Sequence, residues 1–447
     1  MRHGLRGTGR KFTLVGSVLV VFFIIYKLAG GSLGSPNMNG VSVNQIFNKD
    51  NSRVYDECLL LHKLGSISDM EKAFRIWDSH DVCRDLHQKF SAIFRLSSSK
   101  SHIRVEQPFL SKVKRWLPGR YSKEQIENQE IMSLFNKYTY EHSIINLVRS
   151  KRPGVSSTDD VETYIKNLVQ ESAKNCDFCQ YHTNTAKHTF GRIVSKYAVS
   201  AANVFPFDGY HGLIIPRTHH PLKFSEEEFL DVMDVATRWM IKGHEETPSY
   251  RFPHLTWDCL PKGSASQVHT HAQVTLNSQA HYGQMELLKS AASRYEKEFV
   301  GESYFQTLLQ IHQNLNLSIC LGNARAYANL TPKKDNDMFF IALEPSEEYF
   351  KLLYLVLRAF IDEMKIYAWS LVTFFPALVS FKDSDGSWDH KSIPVITRLI
   401  NRGPPTLLRA DISSLELFAA SNVNVDPYKT IAGVRRFLQS SGIDSKC

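Results

Sequence analysis

The sequence predicts an α+β fold of two repeated halves, each an antiparallel sheet with helices, preceded by a helical segment and a transmembrane helix. Three observations predict it. A strand-like segment alternates polar and apolar residues from Gln267 onward. A strand, proline and Ser-Glu-Glu helix start occurs twice in the carboxy-terminal two thirds. Near the amino terminus an uncharged run follows a basic cluster.

That run comes first along the chain. Arg2, Arg6, Arg10 and Lys11 form a basic tail over residues 1–11, and Phe12 to Tyr26 carry no charge before Lys27. Lys27 can snorkel and Leu28-Ala29 extend the apolar stretch, so residues 12–29 read as a signal anchor. Positive charge on the amino side predicts a single-pass type II protein of the secretory pathway, in the endoplasmic reticulum or Golgi, with its catalytic region in the lumen. Cleavage near Leu28-Ala29-Gly30-Gly31, giving a secreted product, is the alternative. A Gly/Ser/Asn-rich stalk fills residues 30–52.

Two sequons suit a lumen, Asn316-Leu317-Ser318 and the weaker Asn329-Leu330-Thr331-Pro332. Seven cysteines in 447 residues are too few for a disulfide-built scaffold, though Cys58 and Cys83 suit one bridge. The net charge of +8 includes the basic tail, and no Lys/Arg run interleaved with aromatics suggests a nucleic-acid groove.

Residues 53–155 read as a mostly helical extension broken at Pro108 and Pro118-Gly119, with no chemistry of their own. Lys151-Arg152-Pro153-Gly154 marks a boundary, and a helix is expected from about Val161. Residues 156–300 then form one half and residues 301–447 the other. Ala202-Asn203-Val204-Phe205-Pro206 is echoed by Ala328-Asn329-Leu330-Thr331-Pro332. Apolar strands follow, Gly212 to Pro216 and Met338 to Pro345, and then the helix starts Ser225-Glu226-Glu227-Glu228 and Ser346-Glu347-Glu348, the first a capping box. Phe229, Val232, Met233, Ala236 and Met240 line one helix, and Phe350, Leu353, Tyr354, Leu357 and Ile361 the other, which reads as core. Strands at Leu255 to Trp257 and Trp369 to Phe375 lead to closing strands, one bearing His269 and His271, the other near Val395 to Ile400 without histidine.

Gln267-Val268-His269-Thr270-His271-Ala272-Gln273 alternates as a strand, which puts His269, His271, Gln273 and Thr275 on one face and apolar residues on the other. Three readings suit that face: a metal site, a nucleophile with a hydrogen-bonding partner, or two structural histidines. The preceding Gly263-Ser264-Ala265-Ser266 loop can offer N–H groups to a phosphate. Cys176-Asp177-Phe178-Cys179 has the spacing of a zinc knuckle, with a disulfide or a redox pair as the alternatives.

Gly263 to Gln273, reading G-S-A-S-Q-V-H-T-H-A-Q, resembles the active-site strand of the galactose-1-phosphate uridylyltransferase and dinucleoside polyphosphate phosphorylase branch of the histidine-triad (HIT-like) superfamily, whose signature is His-x-His-x-Gln. The resemblance covers roughly residues 160–447 and implies two HIT-like halves, one catalytic and one degenerate. It also implies that His271 attacks an α-phosphorus, that Gln273 hydrogen-bonds the nucleotidyl phosphate, and that Cys176, Cys179, His269 and either His219 or His220, His219 being favoured, hold a structural zinc.

Gly263, Ser264, Ser266, Lys262 and Asn203 are the substrate-binding candidates that follow from it. The expected partners are a nucleotide sugar or dinucleotide, then a phosphorylated acceptor or phosphate, on a chain able to homodimerise. One departure stands out: where relatives place an asparagine near the phosphate, this chain offers Asp258. That favours the alternative of a non-catalytic lumenal protein retaining the fold to bind nucleotides or partners.

Overall fold

The computed structural model describes residues 56–117, 121–149, 160–379, 388–389 and 393–447. The expected tail, anchor and stalk lie outside the described residues. Among those described, no helix is long and apolar enough to cross a membrane.

The extension departs from the all-helical expectation. Helices Met70–Trp77, Asp81–Ile93 and Phe109–Trp116 are present, but so are strands β1 (Phe94–Lys100), β2 (Glu130–Asn136) and β3 (His142–Ile145). The reason is visible in β2, where Met132, Leu134 and Asn136 alternate inward against exposed or half-buried neighbours. A period of two over seven residues is a short signal, and Lys/Glu-rich flanks mask it. The chain's last strand completes this sheet, so the extension and the carboxy terminus fold together.

The two halves form one sheet. In chain order the strands are β4 (Ala198–Ala202), β5 (Tyr210–Pro216), β6 (Phe252–Asp258), β7 (Ala272–Asn277), β8 (Ser318–Leu321), β9 (Ala324–Ala328), β10 (Met338–Ala342), β11 (Trp369–Phe374), β12 (Val395–Asn401) and β13 (Ala420–Val423). Nine of them pair in the order β4-β5-β7-β6-β11-β12-β10-β9-β8, while β13 lies parallel to β3 in the order β1-β2-β3-β13. The nine-stranded order reads alike outward from the β6/β11 seam, where Thr256 faces Val372. Every pair in this sheet is antiparallel.

The repeat seen in sequence is thus a structural repeat. Asn203 N–H donates to the His211 carbonyl (2.9 Å), and Asn329 N–H donates to the Asp337 carbonyl (3.0 Å). Each asparagine Oδ1 also accepts from the N–H two residues on, Phe205 at 2.9 Å and Thr331 at 3.1 Å, which is an Asx-turn.

One helix per half covers the sheet. Ser225 caps Glu226–Glu246 with the expected capping box, and Ser346 caps Glu347–Arg358. Their predicted apolar faces are buried, with only Tyr354 half-buried. Gly212 has a packing reason, since a Cβ there would lie 2.5 Å from the Trp239 ring. The ring therefore sits flush on β5, beneath the strand that carries His211.

Disulfides join Cys58 to Cys83, as expected, and Cys320 to Cys447, while Cys176, Cys179 and Cys259 are free. The alternative of a Cys176–Cys179 bridge is therefore not realised. The sequons differ sharply: Asn316 is exposed in the turn before β8, whereas Asn329 is buried with its side chain engaged by Thr331. Full-length protein passed through a eukaryotic secretory pathway is expected to carry a glycan at Asn316 and none at Asn329. A glycosidase-sensitive gel shift that disappears in Asn316→Gln and persists in Asn329→Gln checks this.

Candidate active site and metal centre

Strand β7 begins at Ala272, so the two histidines lie in the run-in to the strand and not within it, His269 at a bend. The alternation survives. Ala272, Val274 and Leu276 are fully buried in the main core, while Gln273 and Thr275 face the other way. His269 and His271 are buried too, at 2% and 6% exposure.

Hydrogen bonds assign the tautomers. His271 Nδ1 lies 3.2 Å from the His269 carbonyl oxygen, an acceptor only, so Nδ1 carries the proton and Nε2 keeps its lone pair. Burial lowers the His271 pKa, which favours that neutral form. His269 Nε2 lies 2.7 Å from the Pro216 carbonyl, so its lone pair is on Nδ1, directed at the Cys176 and Cys179 sulfurs 3.3 and 3.5 Å away. His219 does the same: Nδ1 is 3.4 Å from Cys179 Sγ, and Nε2 bonds Ser172 Oγ at 3.1 Å. Ser172 in turn donates to the Val169 carbonyl (3.1 Å).

Ligand atoms of Cys176, Cys179, His219 and His269 all lie within 4.8 Å of one another. A tetrahedron with Zn–S near 2.3 Å and Zn–N near 2.05 Å has sulfur–nitrogen edges of about 3.6 Å, close to the spacings here. The two outer imidazole N–H groups are already spent on protein oxygens, the usual arrangement around a ligating histidine. Two thiols and two correctly presented imidazoles fit zinc. His220 is excluded from the group, its Nδ1 accepting instead from Leu222 N–H at 3.2 Å.

The knuckle also touches the histidine-bearing segment. Phe178, between the two cysteines, meets the His271 ring edge-on at a centroid distance of 4.9 Å and the His269 ring at 5.8 Å. The helix Val161–Ala173, capped by Asp160, ends just before the knuckle and supplies Ser172.

A residue the sequence reading passed over joins the face. His211, 2% exposed on β5, bonds Gln273 Oε1 through Nε2 at 3.0 Å, while its Nδ1 accepts from Phe207 N–H at 3.4 Å. That pairing engages the Gln273 carbonyl oxygen and leaves the amide N–H groups as the side chain's donors. Asn203 Nδ2 stands 3.2 Å from the same His211 nitrogen, so Asn203, His211 and Gln273 form one row across the sheet. A signal was present in Tyr210-His211-Gly212, a buried imidazole position one pleat from the motif strand, but a single strand histidine more often serves packing.

The loop before the motif is engaged differently than expected. The N–H groups of Gly263, Ser264 and Ala265 bond to Leu260 O, Pro261 O and Leu260 O within the loop. Its hydroxyls at Ser264 and Ser266 are exposed. Lys262 Nζ donates to the Arg409 carbonyl, away from a phosphate-binding role. Asp258 accepts from Ser370 Oγ (2.5 Å) and stands 3.9 Å from Arg402, so its carboxylate is turned toward the second half; burial raises its pKa, offset in part by those two groups.

The second half carries different residues at the equivalent positions. Leu213 faces Gln273 across β5/β7, and the equivalent Phe339 faces Arg398 across β10/β12. Arg398 therefore occupies the Gln273 position, Asp337 the His211 position, and Ile396 the His271 position. Where the first half has an imidazole–amide bond, the second has a buried ion pair: Arg398 Nη2 and Nε reach Asp337 Oδ2 at 2.6 and 2.9 Å, and Nη1 reaches Glu141 of the extension at 2.5 Å. Ser143 adds a bond to the Pro332 carbonyl (2.7 Å). The extension thus packs over the Arg398–Asp337 pair. Arg398→Gln, which copies the residue of the first half, is expected to cost about 3–5 kcal/mol because it strands two buried carboxylates; denaturant unfolding measures it.

No family model matches the sequence, and no curated protein does. Solved structures similar to it include an ADP-glucose phosphorylase from Arabidopsis thaliana with bound ADP-glucose, at 12% identity over 66% of this chain and 94% of that one, with a TM-score of 0.49. A GalT-like protein from Arabidopsis thaliana gives 12% identity, 59% and 92% coverage, and a TM-score of 0.46. Yeast Ap4A phosphorylase in complex with Ap4A gives 10% identity, 74% and 97% coverage, and a TM-score of 0.31.

Proposed function

We propose that the protein is a nucleotidyltransferase or phosphorylase that moves a nucleoside monophosphate from a nucleotide sugar or dinucleoside polyphosphate through a nucleotidyl-histidine. One observation carries the reading: His271 has its Nδ1 proton tied to the His269 carbonyl, which leaves the Nε2 lone pair for attack.

In this mechanism His271 Nε2 attacks the α-phosphorus, a P–N bond forms, and the P–O bond to the outgoing phosphate breaks with its electron pair on that oxygen. The His269 carbonyl stabilises the imidazolium Nδ1–H that results. Gln273 donates to a non-bridging oxygen of the transferred phosphoryl group, as do the Ser264 and Ser266 hydroxyls. An oxygen of the acceptor phosphate then attacks phosphorus from the opposite side, the P–N bond breaks, and His271 is restored. Cys176, Cys179, His219 and His269 would hold zinc, which supplies structural rigidity and takes no part in the reaction.

Retaining the fold without catalysis is the second reading, and Asp258 favoured it. The Ser370 and Arg402 contacts weaken that support, because they put a hydroxyl donor and a positive charge beside the carboxylate.

Full-length protein incubated with a panel of nucleotide sugars and dinucleoside polyphosphates, followed by intact mass, tests the proposal. An increment of one nucleoside monophosphate supports it and names the base. Bound nucleotide without a covalent increment, for every donor, would instead leave the binding-protein reading standing.

A further inference from the structure

We propose that Arg402, contributed by the half without the His-x-His motif, is a positioning residue that holds the Gly263–Ser266 loop in its working shape and so aligns the donor phosphate with His271. The proposal rests on the nucleotidyl-transfer reading above.

Three N–H groups of the loop bond within it, but its backbone is strained. Leu260 and Ser264, neither of them glycine, have φ of +65° and +78°. Such left-handed conformations cost on the order of 1 kcal/mol or more each and persist only where neighbours over-determine them. Several of the neighbours here come from the second half. Cys259 N–H donates to the Trp369 carbonyl (2.9 Å), and Gly263 lies so close to β11 that a Cβ would sit 2.9 Å from the same carbonyl oxygen. Arg402, at the end of β12, then closes over the loop.

Its guanidinium is fully committed. Nη1 donates to Gly263 O (3.0 Å) and Ser370 Oγ (2.8 Å), Nη2 to Ser264 Oγ (3.2 Å) and Asp411 Oδ1 (3.3 Å), and Nε to Asp411 Oδ2 (2.6 Å). Five N–H donors meet five bonds. An arginine so engaged is not free to grip a phosphate itself, which separates positioning from direct binding. It also provides the only positive charge within 4 Å of Asp258 among the described residues, at 3.9 Å. Loss of Arg402 would therefore loosen the loop and leave a carboxylate uncompensated beside the path of an anionic donor. Lysine, a point charge with three donors on one atom, cannot span the same fork.

The test compares full-length wild type with Arg402→Lys and Arg402→Gln. Amide exchange over residues 259–266 is expected to rise about tenfold while exchange in β5 and β7 and the zinc content hold. The rate of His271 nucleotidylation should fall by about 10- to 100-fold in both variants, lysine giving little rescue. Ser370→Ala, which removes one anchor and is the milder change, should move both readouts the same way by less. Loop exchange that stays at the wild-type rate, or that rises with nucleotidylation unchanged, overturns the proposal while leaving the nucleotidyl-transfer reading intact. A wild type that takes up no nucleotide from any donor overturns that reading and the phosphate role together.

Discussion

Replacing His271 by alanine is expected to abolish the covalent nucleotide adduct and lower turnover by on the order of 10⁴-fold or more, with little change in stability or bound metal. The argument is geometric. His271 Nδ1 is occupied by the His269 carbonyl, so the attacking atom is Nε2, and no other imidazole of the row offers the same state. His211 spends Nε2 on Gln273 and Nδ1 on Phe207, and His269 spends Nε2 on Pro216 and directs Nδ1 to the cysteines. Neither can stand in for it.

Gln273→Ala should behave differently. It removes one donor to the transferred group and should lower the adduct-forming rate by about 10²- to 10³-fold while the adduct remains detectable. Quenched-flow mass measurement separates the two variants. An adduct that forms in His271→Ala at an undiminished rate would move the nucleophile elsewhere and end the mechanism proposed here.

How legible was all this in the chain? The end of the motif strand, the knuckle and the capped helices were, because each rests on a local pattern: alternation at 272–276, Cys-x-x-Cys at 176–179, and Ser225 with Glu228 three residues on, whereas residues 268 and 269 bend before the strand begins. The repeat placed β11 and β12 to within a residue and β10 to within three, and it did not mark β8, β9 or β13. What could not be read depends on contacts remote in sequence. Arg402 meets Gly263 across 139 residues, and nothing near Arg402 announces a partner. His211 becomes part of the site only once β5 lies beside β7.

The extension failed for another reason. Its strands are short, and one of their partners, β13, lies nearly three hundred residues away, so the sheet has no local signature. The loop N–H groups were misjudged because left-handed residues at Leu260 and Ser264 fold the turn back on itself, consuming donors that a Gly/Ser composition advertises as available.

Removing the metal is expected to disable the site without touching the attacking atom. Cys176→Ser, or prolonged chelation of the wild type, should eliminate bound zinc, lower stability by about 4 kcal/mol, and reduce adduct formation in proportion to the loss of ordered knuckle. The four ligand side chains come from three places: the knuckle after helix Val161–Ala173, the turn after β5, and the run-in to β7. Without a cation the His269–Pro216 and His219–Ser172 bonds remain, but the two cysteines meet the imidazoles only through sulfur contacts of 3.3 to 3.5 Å that are weak as hydrogen bonds. Phe178 would leave the His271 ring when the knuckle opens, and the His269 carbonyl that fixes the His271 tautomer would lose its restraint.

The effect should therefore appear first in metal analysis and thermal unfolding, and only through them in the rate. Zinc readdition should restore both in chelated wild type and neither in Cys176→Ser. Protein that is metal-free as isolated, yet as stable and as reactive as the rest, would show that the four side chains hold one another unaided, and that the tight sulfur–nitrogen spacings serve packing alone.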